Sequence, residues 1–508
     1  MGLAQAWSVA LYGIDGLAVE IEADVGVGQP RTHLLGLPDA SLHESKERVK
    51  AAVRNSEEEW PKQRIVLGLS PANLPKGGSS YDLAIACATL AAAGSIPCER
   101  LATTVLLGEL ALDGRVRTVR GVLPSLLAAR RAGLTTAIVP VDALPEAALV
   151  DGVEIHGALT LSEVLAWLRG EEVPLQSPPA SADPPLPAVP DLADVVGQPE
   201  ARWALEVAAA GAHHLLLTGP PGTGKTMLAE RLPGLLPPLT RQESLAVTAV
   251  HSVAGVLSAD YPLVASPPFV NVHHTTSMAA LIGGGSGMAK PGAASRAHRG
   301  VLFLDEACEF GQKTIDTLRT ALEDGEIRIP RRDGIAHYPA RFQLILATNP
   351  CPCAPPKEVD CTCTATVRRR YQSRLSGPLL DRVDLRVRMR ATTAMSNADA
   401  APPESTATVR ERVLKARSRA ATRWSAHGHT WPTNAQVPGP VLRQEFALPR
   451  HTTALLDRAL STGALTGRGA DRCLRVAWTL SDLAESDRPT ADHVAAALQF
   501  RERRAPSP

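Results

Sequence analysis

Aromatic residues are scarce in this chain, with Phe, Trp and Tyr making up 4% of its 508 residues. No platform for stacking nucleic-acid bases is visible, so any grip on a single strand has to be electrostatic. Charge of one sign is scarce too. Lys and Arg number 53 against 52 Asp and Glu, a formal net charge of +1. No global field therefore draws in nucleic acid or a membrane, and any basic surface is local. No apolar run approaches the ~20 residues that span a bilayer. The start, "MGLAQAWSVALYGIDG", lacks a basic n-region and a sustained apolar core, and Ala6 stands where a myristoylation signal needs Ser or Thr. A cytoplasmic protein is expected. Cysteine is sparse as well, at 8 residues, and Cys87, Cys98, Cys308 and Cys473 are scattered. That is reduced-core usage rather than a disulfide framework.

The length suggests about two to four domains. Residues 171–190, "EEVPLQSPPASADPPLPAVP", carry almost no large apolar side chains and read as a semi-extended linker. Before it, in residues 1–170, strand-like runs ("SVALYGI", "AVEIEADVG", "RIVLGLS", "TVLLGEL", "TAIVPV") alternate with Ala- and Leu-rich helical stretches such as "DLAIACATLAAAG" and "VLPSLLAARRAG". Residues 191–390 begin with helix, strand, Gly-rich loop and helix. A weaker boundary near 391–405 opens a wholly helical region, 391–508.

The strongest motif is "GPPGTGKT": Gly219, Pro220, Pro221, Gly222, Thr223, Gly224, Lys225 and Thr226. It lies between a buried strand, "HHLLLT", and a helix, the context a phosphate loop requires. Its glycines let backbone N–H groups turn toward phosphates at a helix N-terminus. Lys225 would meet the β- and γ-phosphates of ATP, and Thr226 would ligate Mg²⁺. Further on, the apolar strand of "GVLFLDEACEF" ends in Asp305 and Glu306. Alone, such a pair is an exposed acidic turn. With the phosphate loop it reads as a Mg²⁺ partner (Asp305) and a base for the attacking water (Glu306). "FQLILATN" is expected to be a further parallel strand that ends in Asn349, beside the γ-phosphate or the water. All these groups fall at strand C-termini, where open α/β sheets bind ligands.

The phosphate loop, "LFLDE", "ATNP", "LLDRVDL" and "GRGADRCLRVA", in that order, resemble an AAA+ ATPase of the magnesium-chelatase branch. "HHTTSMAALIGGGS", "ALEDGEIRIPR", "NPCPC" and "RRYQSRLSGPLLDRVDLRV" bring the resemblance closer, to the ComM/YifB family, over nearly the whole chain. It implies an α/β fold: an AAA+ P-loop core with a helical lid, preceded by a Lon-protease-like α/β domain. It also implies a homohexameric, ATP- and Mg²⁺-dependent motor. ComM-type members are DNA helicases that drive branch migration during natural transformation, so single-stranded or branched DNA is the expected partner. The resemblance further implies two arginine roles. Arg382 would stabilise transition-state charge in a neighbouring subunit, and Arg468 would contact nucleotide from the lid. A rival expectation is a remodeller of a protein partner, as in magnesium-chelatase motor subunits. Within the Lon-like region Ser80 takes the nucleophile's position, but Ser125 stands where the activating lysine should be, and Lys76 has no evident reason to substitute for it. A non-proteolytic domain is expected.

Cys351, Cys353, Cys361 and Cys363 form C-x-C, seven residues, C-x-C. Four thiolates suit tetrahedral Zn²⁺, and a closed site of this kind staples a loop rather than doing chemistry. Reduced thiols without metal, or a redox switch, are the other readings. Two insertions are candidate DNA-facing loops. One is Gly-rich and bears Lys290 and Arg296; the other is a hairpin whose "RRDG" tip presents Arg331 and Arg332. The adjacent His273 and His274 are expected to point to opposite faces and serve structural roles.

Overall fold

The computed structural model describes residues 2–501, apart from 37–39, 73–75, 77, 173, 180–188, 286–288, 332–333, 357 and 391–402. Much of the linker and most of the second boundary therefore lie outside the described residues.

The amino-terminal domain starts with a long antiparallel hairpin, β1 (Gly2–Tyr12) and β2 (Asp15–Gly26), in register from Gly2↔Val25 to Tyr12↔Asp15. Val19, Ile21, Ala23 and Val25 are buried and alternate with less buried residues. That is the mark of a sheet with one packed face. With β3 (Arg31–Leu35), β4 (Arg64–Ser70), β5 (Thr104–Leu106), β6 (Thr136–Pro140) and β7 (Glu154–Ala158) it forms a seven-stranded mixed sheet, ordered β3-β4-β2-β1-β5-β6-β7. The helix Asp82–Ala92 packs on β1 and β2 and is buried along its whole length. It is apolar apart from Asp82, which pairs with Arg48, and Thr89, which bonds the Ile85 carbonyl, so it offers no face to water.

The second domain is a five-stranded, all-parallel sheet built from β8 (Leu215–Thr218), β9 (Phe269–Val272), β10 (Val301–Leu304), β13 (Gln343–Thr348) and β14 (Leu385–Arg388), ordered β9-β10-β13-β8-β14. Every residue of β10 and β13 is buried, as a sheet covered on both faces demands. Between them β11 (Glu326–Arg331) and β12 (Gly334–Pro339) form a separate hairpin. The helices Thr406–Ala426, Arg450–Ser461, Gly467–Leu483 and Ala491–Gln499 share one hydrophobic cluster with this core. Thr406–Ala426 and Gly467–Leu483 pack on the helix Pro199–Gly211, and Gly467–Leu483 meets the N-terminal end of β14, where Arg472 Nη1 donates to Asp384 at 2.6 Å. Among the described residues none of them bonds the phosphate loop.

Among the described residues the two domains touch at two places. The helix Val122–Arg131 packs on the helix Arg241–Ala254, and Glu146 Oε1 accepts from Leu123 N at 2.6 Å and from Ser252. The β1–β2 turn closes on the β11–β12 hairpin. A Cβ at Gly13 would stand 2.4 Å from the His337 carbonyl oxygen, and one at Gly334 would stand 2.6 Å from the Tyr12 hydroxyl. Only glycine permits so close an approach.

Candidate nucleotide site

After β8 the chain makes the tight loop that the sequence calls for. Gly222 and Gly224 take φ of +77° and +85°, and nothing lies within 4 Å of where their Cβ atoms would stand. Thr223 Oγ1 donates to the Pro220 carbonyl at 2.9 Å and pins the turn. Lys225 Nζ donates to the carbonyls of Gly219 (2.7 Å) and Pro220 (2.9 Å) and to Asn349 Oδ1 (3.2 Å). Asn349 arrives from β13, which lies beside β8 in the sheet. Burial lowers the Lys225 pKa, while Asp305 and Glu306 pull it back up. An ammonium group held by neutral oxygens and facing two carboxylates fits the triphosphate of ATP, whose oxygens would replace the carbonyls. Thr226 Oγ1 donates to Asp305 Oδ2 at 2.9 Å, so two hard oxygen donors stand together where Mg²⁺ would be held. The metal would neutralise phosphate charge there.

Glu306 has a left-handed backbone, φ +51°, and its N–H bonds Asp305 Oδ1 at 2.9 Å. A non-glycine residue in this region carries strain, which concentrates at functional sites. Its carboxylate lies 2.7 Å from His274 Nδ1. This corrects the expectation for the histidine pair. His273 and His274 follow the end of β9, where strand alternation no longer applies, and their ring centroids are 4.1 Å apart. Val272 is in register with Leu304, so both pairs, His273–His274 and Asp305–Glu306, leave the same edge of the sheet. One donor atom each from His273, His274 and Glu306 lie within 4.8 Å of one another. The strand register, invisible in the sequence, makes the meeting. Gln198, also unexpected, donates through Nε2 to Thr223 O at 3.4 Å and Arg390 O at 2.5 Å, at the rim of the loop.

The two arginines stand apart from this cluster. Arg382 is largely buried, ion-paired with Glu323 and bonded to the Pro378 carbonyl, just before β14 begins. Arg468 is exposed in the first turn of Gly467–Leu483, one turn from Arg472 and its bond to Asp384. Arg382 thus stands at the N-terminal end of a strand whose neighbour carries the phosphate loop at its C-terminal end, and the helix bearing Arg468 is fastened to that same end through Arg472. Four residues of strand separate the two ends, about 13 Å.

The candidate DNA residues fare unevenly. Lys290 is exposed on a short ribbon with Gly284. Arg296 is half-buried. Arg331, expected at a free tip, is also half-buried, with Nε and Nη2 enclosed and unpartnered, because the amino-terminal turn covers that end of the hairpin. Arg332 lies outside the described residues. A basic row the sequence reading did not single out, Arg368, Arg369 and Arg370, is exposed on the helix Ala365–Gln372 directly after the cysteines.

The four cysteines converge. Cys351 Sγ lies 3.4 Å from both Cys353 and Cys361, Cys353 lies 3.6 Å from Cys361, and Cys363 completes a cluster within 4.8 Å. Zn–S bonds of about 2.3 Å place tetrahedral thiolates roughly 3.8 Å apart, so the donor set fits zinc. In the amino-terminal domain Ser125 is buried and its hydroxyl donates to Gly121 O at 2.7 Å, where a lysine would be needed. Lys76 is spent on the Pro71 carbonyl. Among the described residues no base bonds the Ser80 hydroxyl.

A phosphate loop joined to this acidic strand end and followed by a helical domain defines a magnesium-chelatase type of AAA+-like protein. The family model of magnesium chelatase, subunit ChlI, matches residues 191–397; two further models, for subunit ChlI and for its C-terminal part, match 21–143 and 403–501. An uncharacterised protein of Mycobacterium tuberculosis is 59% identical over 502 residues, 99% of both chains. YifB of Escherichia coli is 38% identical over 502 residues (99% of this chain, 97% of YifB), and competence protein ComM of Haemophilus influenzae is 38% identical over 509 (99% and 98%). The chain belongs to the ComM/YifB family of magnesium-chelatase-like proteins. A partial likeness, 29% over 194 residues, links about a third of it to Lon protease 2 of Bacillus subtilis. Among the described residues no helix is long and apolar enough to cross a membrane.

Proposed function

We propose that the chain is an ATP- and Mg²⁺-dependent motor that acts on single-stranded or branched DNA as a homohexamer, in the recombination of incoming DNA. The observation that carries the motor reading is the convergence of Lys225, Thr226, Asp305, Glu306 and Asn349 at adjacent strand ends. In it Lys225 and Asn349 bind phosphate, Thr226 and Asp305 hold Mg²⁺, and Glu306 takes the proton of the attacking water. The DNA reading draws on the likeness to a competence protein and on the exposed Lys290 and Arg368–Arg370. The amino-terminal domain has a Lon-like fold without its chemistry. Zinc on the four cysteines fixes the segment between Asn349 and Arg382, and the carboxyl-terminal helices act as the lid of a neighbouring subunit.

A second reading, a remodeller of a protein partner, gains from the covered end of the β11–β12 hairpin, since Arg331 is not free to line a pore. The test is the ATPase rate with and without single-stranded and forked DNA, using E306Q as the blank. Stimulation by DNA that fades steeply with salt supports the first reading. A rate indifferent to DNA, yet abolished in E306Q, moves the assignment to the second.

A further inference from the structure

A cavity of about 910 Å³ lies under the N-terminal ends of the core strands, at the opposite end of the sheet from the phosphate loop. His214, Pro267, Gly300, Phe342 and Asp384, which precede or stand at the start of the five strands, all line it. Five arginines line it as well: Arg299, Arg341, Arg417, Arg472 and Arg475. Its carboxylates are already committed. Glu243 meets Arg299 at 3.3 Å, Asp384 accepts from Arg472 at 2.6 Å, Glu323 holds Arg382 and Asp324 lies 4.0 Å from Arg328. Among the described residues Arg341, Arg417 and Arg475 are left without a carboxylate.

Two of these three guanidinium groups are anchored on carbonyl oxygens, which satisfy protons but not charge. Arg417 donates from Nε and Nη2 to Ala209 O (2.8 and 2.6 Å), and Arg475 Nε donates to Val437 O (2.7 Å). Arg417 Nη1 and both terminal nitrogens of Arg475 keep no protein partner among the described residues. Burial pushes the Arg417 pKa down to about 10 and lowers that of Arg475, in spite of nearby acids. Both side chains are half-buried and none of these free nitrogens is sealed from solvent, so an anion in the cavity can reach them. Guanidinium forks match phosphate oxygens, and pockets of about 300–1,000 Å³ hold ligands of nucleotide size. Trp431, Phe342, Pro237 and Pro238 add apolar side chains to the same lining.

We infer that this cavity is a second anion site, taking a multiply charged phosphate ligand, either a free nucleotide or a base-less oligophosphate. It does not depend on the motor reading, since none of its residues belongs to the phosphate loop. The test is equilibrium dialysis of the full chain against ATP and, separately, against pyrophosphate, with K225A to disable the phosphate loop. The expected result is two nucleotides per wild-type chain and one retained by K225A. R341E, a change at an exposed position, in the K225A background should weaken that retained binding at least about tenfold. Quenching of tryptophan fluorescence by ATP but not pyrophosphate, lost in W431F, identifies a nucleotide; binding of pyrophosphate alone identifies an oligophosphate. If K225A binds neither ligand, or its binding is unmoved by both R341E and R475Q, the site does not exist. A chain that hydrolyses ATP but binds one nucleotide sinks this site and leaves the motor standing.

Discussion

Replacing Asp384 by Asn tests how the carboxyl-terminal helices are fastened to the core. Asp384 is 1% exposed. Its Oδ1 accepts from Arg472 Nη1 at 2.6 Å, while Oδ2 accepts from His214 N at 3.2 Å and lies 3.3 Å from His213 Nδ1. An amide has one acceptor oxygen where the carboxylate has two. D384N must therefore break one of these bonds and leave the half-buried Arg472 charge without its partner. Removing one member of a buried pair costs about 3–5 kcal/mol, whereas removing both costs less. Urea unfolding followed by tryptophan fluorescence reports on the region, since Trp424 and Trp478 sit in the same cluster. The double variant D384N/R472M should be less destabilised than the sum of the singles by about 0.5–3 kcal/mol. Burial alone would raise the Asp384 pKa, but Arg472, with His213 and His214, holds it well below the usual carboxylate range. A depressed folded pKa gives stability that is present above the unfolded value of about 3.9 and lost as pH falls through the folded one. Wild type should thus lose this margin on acidification below about pH 4, and D384N should not. A D384N cost under about 1 kcal/mol, or an additive cycle, would refute the reasoning.

The His274 contact predicts that H274A lowers kcat about tenfold with little change in KM for ATP, because it removes orientation of Glu306 rather than ground-state binding; an unchanged kcat, or a KM that moves as far as kcat does, would refute it. Metal analysis should find one zinc per chain. C353S/C361S should lose it, with slower hydrolysis but intact ATP binding, and a metal-free wild type beside a fully active variant would end the zinc assignment. If Arg382 serves a neighbour's nucleotide, R382A and E306Q are each inactive but regain hydrolysis when mixed, since one chain supplies the base and the other the arginine; no recovery on mixing would count against a shared site.

The chemistry-bearing end of the core sheet was legible because its signals are local. A Gly-rich loop between strand and helix, and apolar runs that stop at Asp305 and at Asn349, need no long-range information. The carboxyl-terminal helices were legible for the same reason: their apolar residues recur at helical spacing. What escaped was set by register and contact. Arg31–Leu35 has no fully buried residue, so β3 carried no apolar pattern to read. The meeting of His274 with Glu306 depends on which residue of β9 pairs with which of β10. Arg331 looked free because its turn sequence is a good one, but the chain that covers it begins some three hundred positions earlier, at Tyr12 and Gly13.

The same contrast bears on how the site could be completed. Lys225, Thr226, Asp305, Glu306 and Asn349 stand at C-terminal strand ends; Arg382 and the helix carrying Arg468 are tied to the N-terminal end of β14. Parallel strands of four residues hold the two ends about 13 Å apart, and the Arg382 side chain, anchored by Glu323, does not cross that gap. Arg382, held there by Glu323, and the phosphate loop can serve one nucleotide only if they come from different copies of the chain. A closed ring meets that condition, because a head-to-tail contact places one end of every sheet against the other end of its neighbour. It also sets a cost for Arg382: to act across the contact it has to leave Glu323, so the order in which that ion pair breaks and ATP binds would govern when each subunit fires.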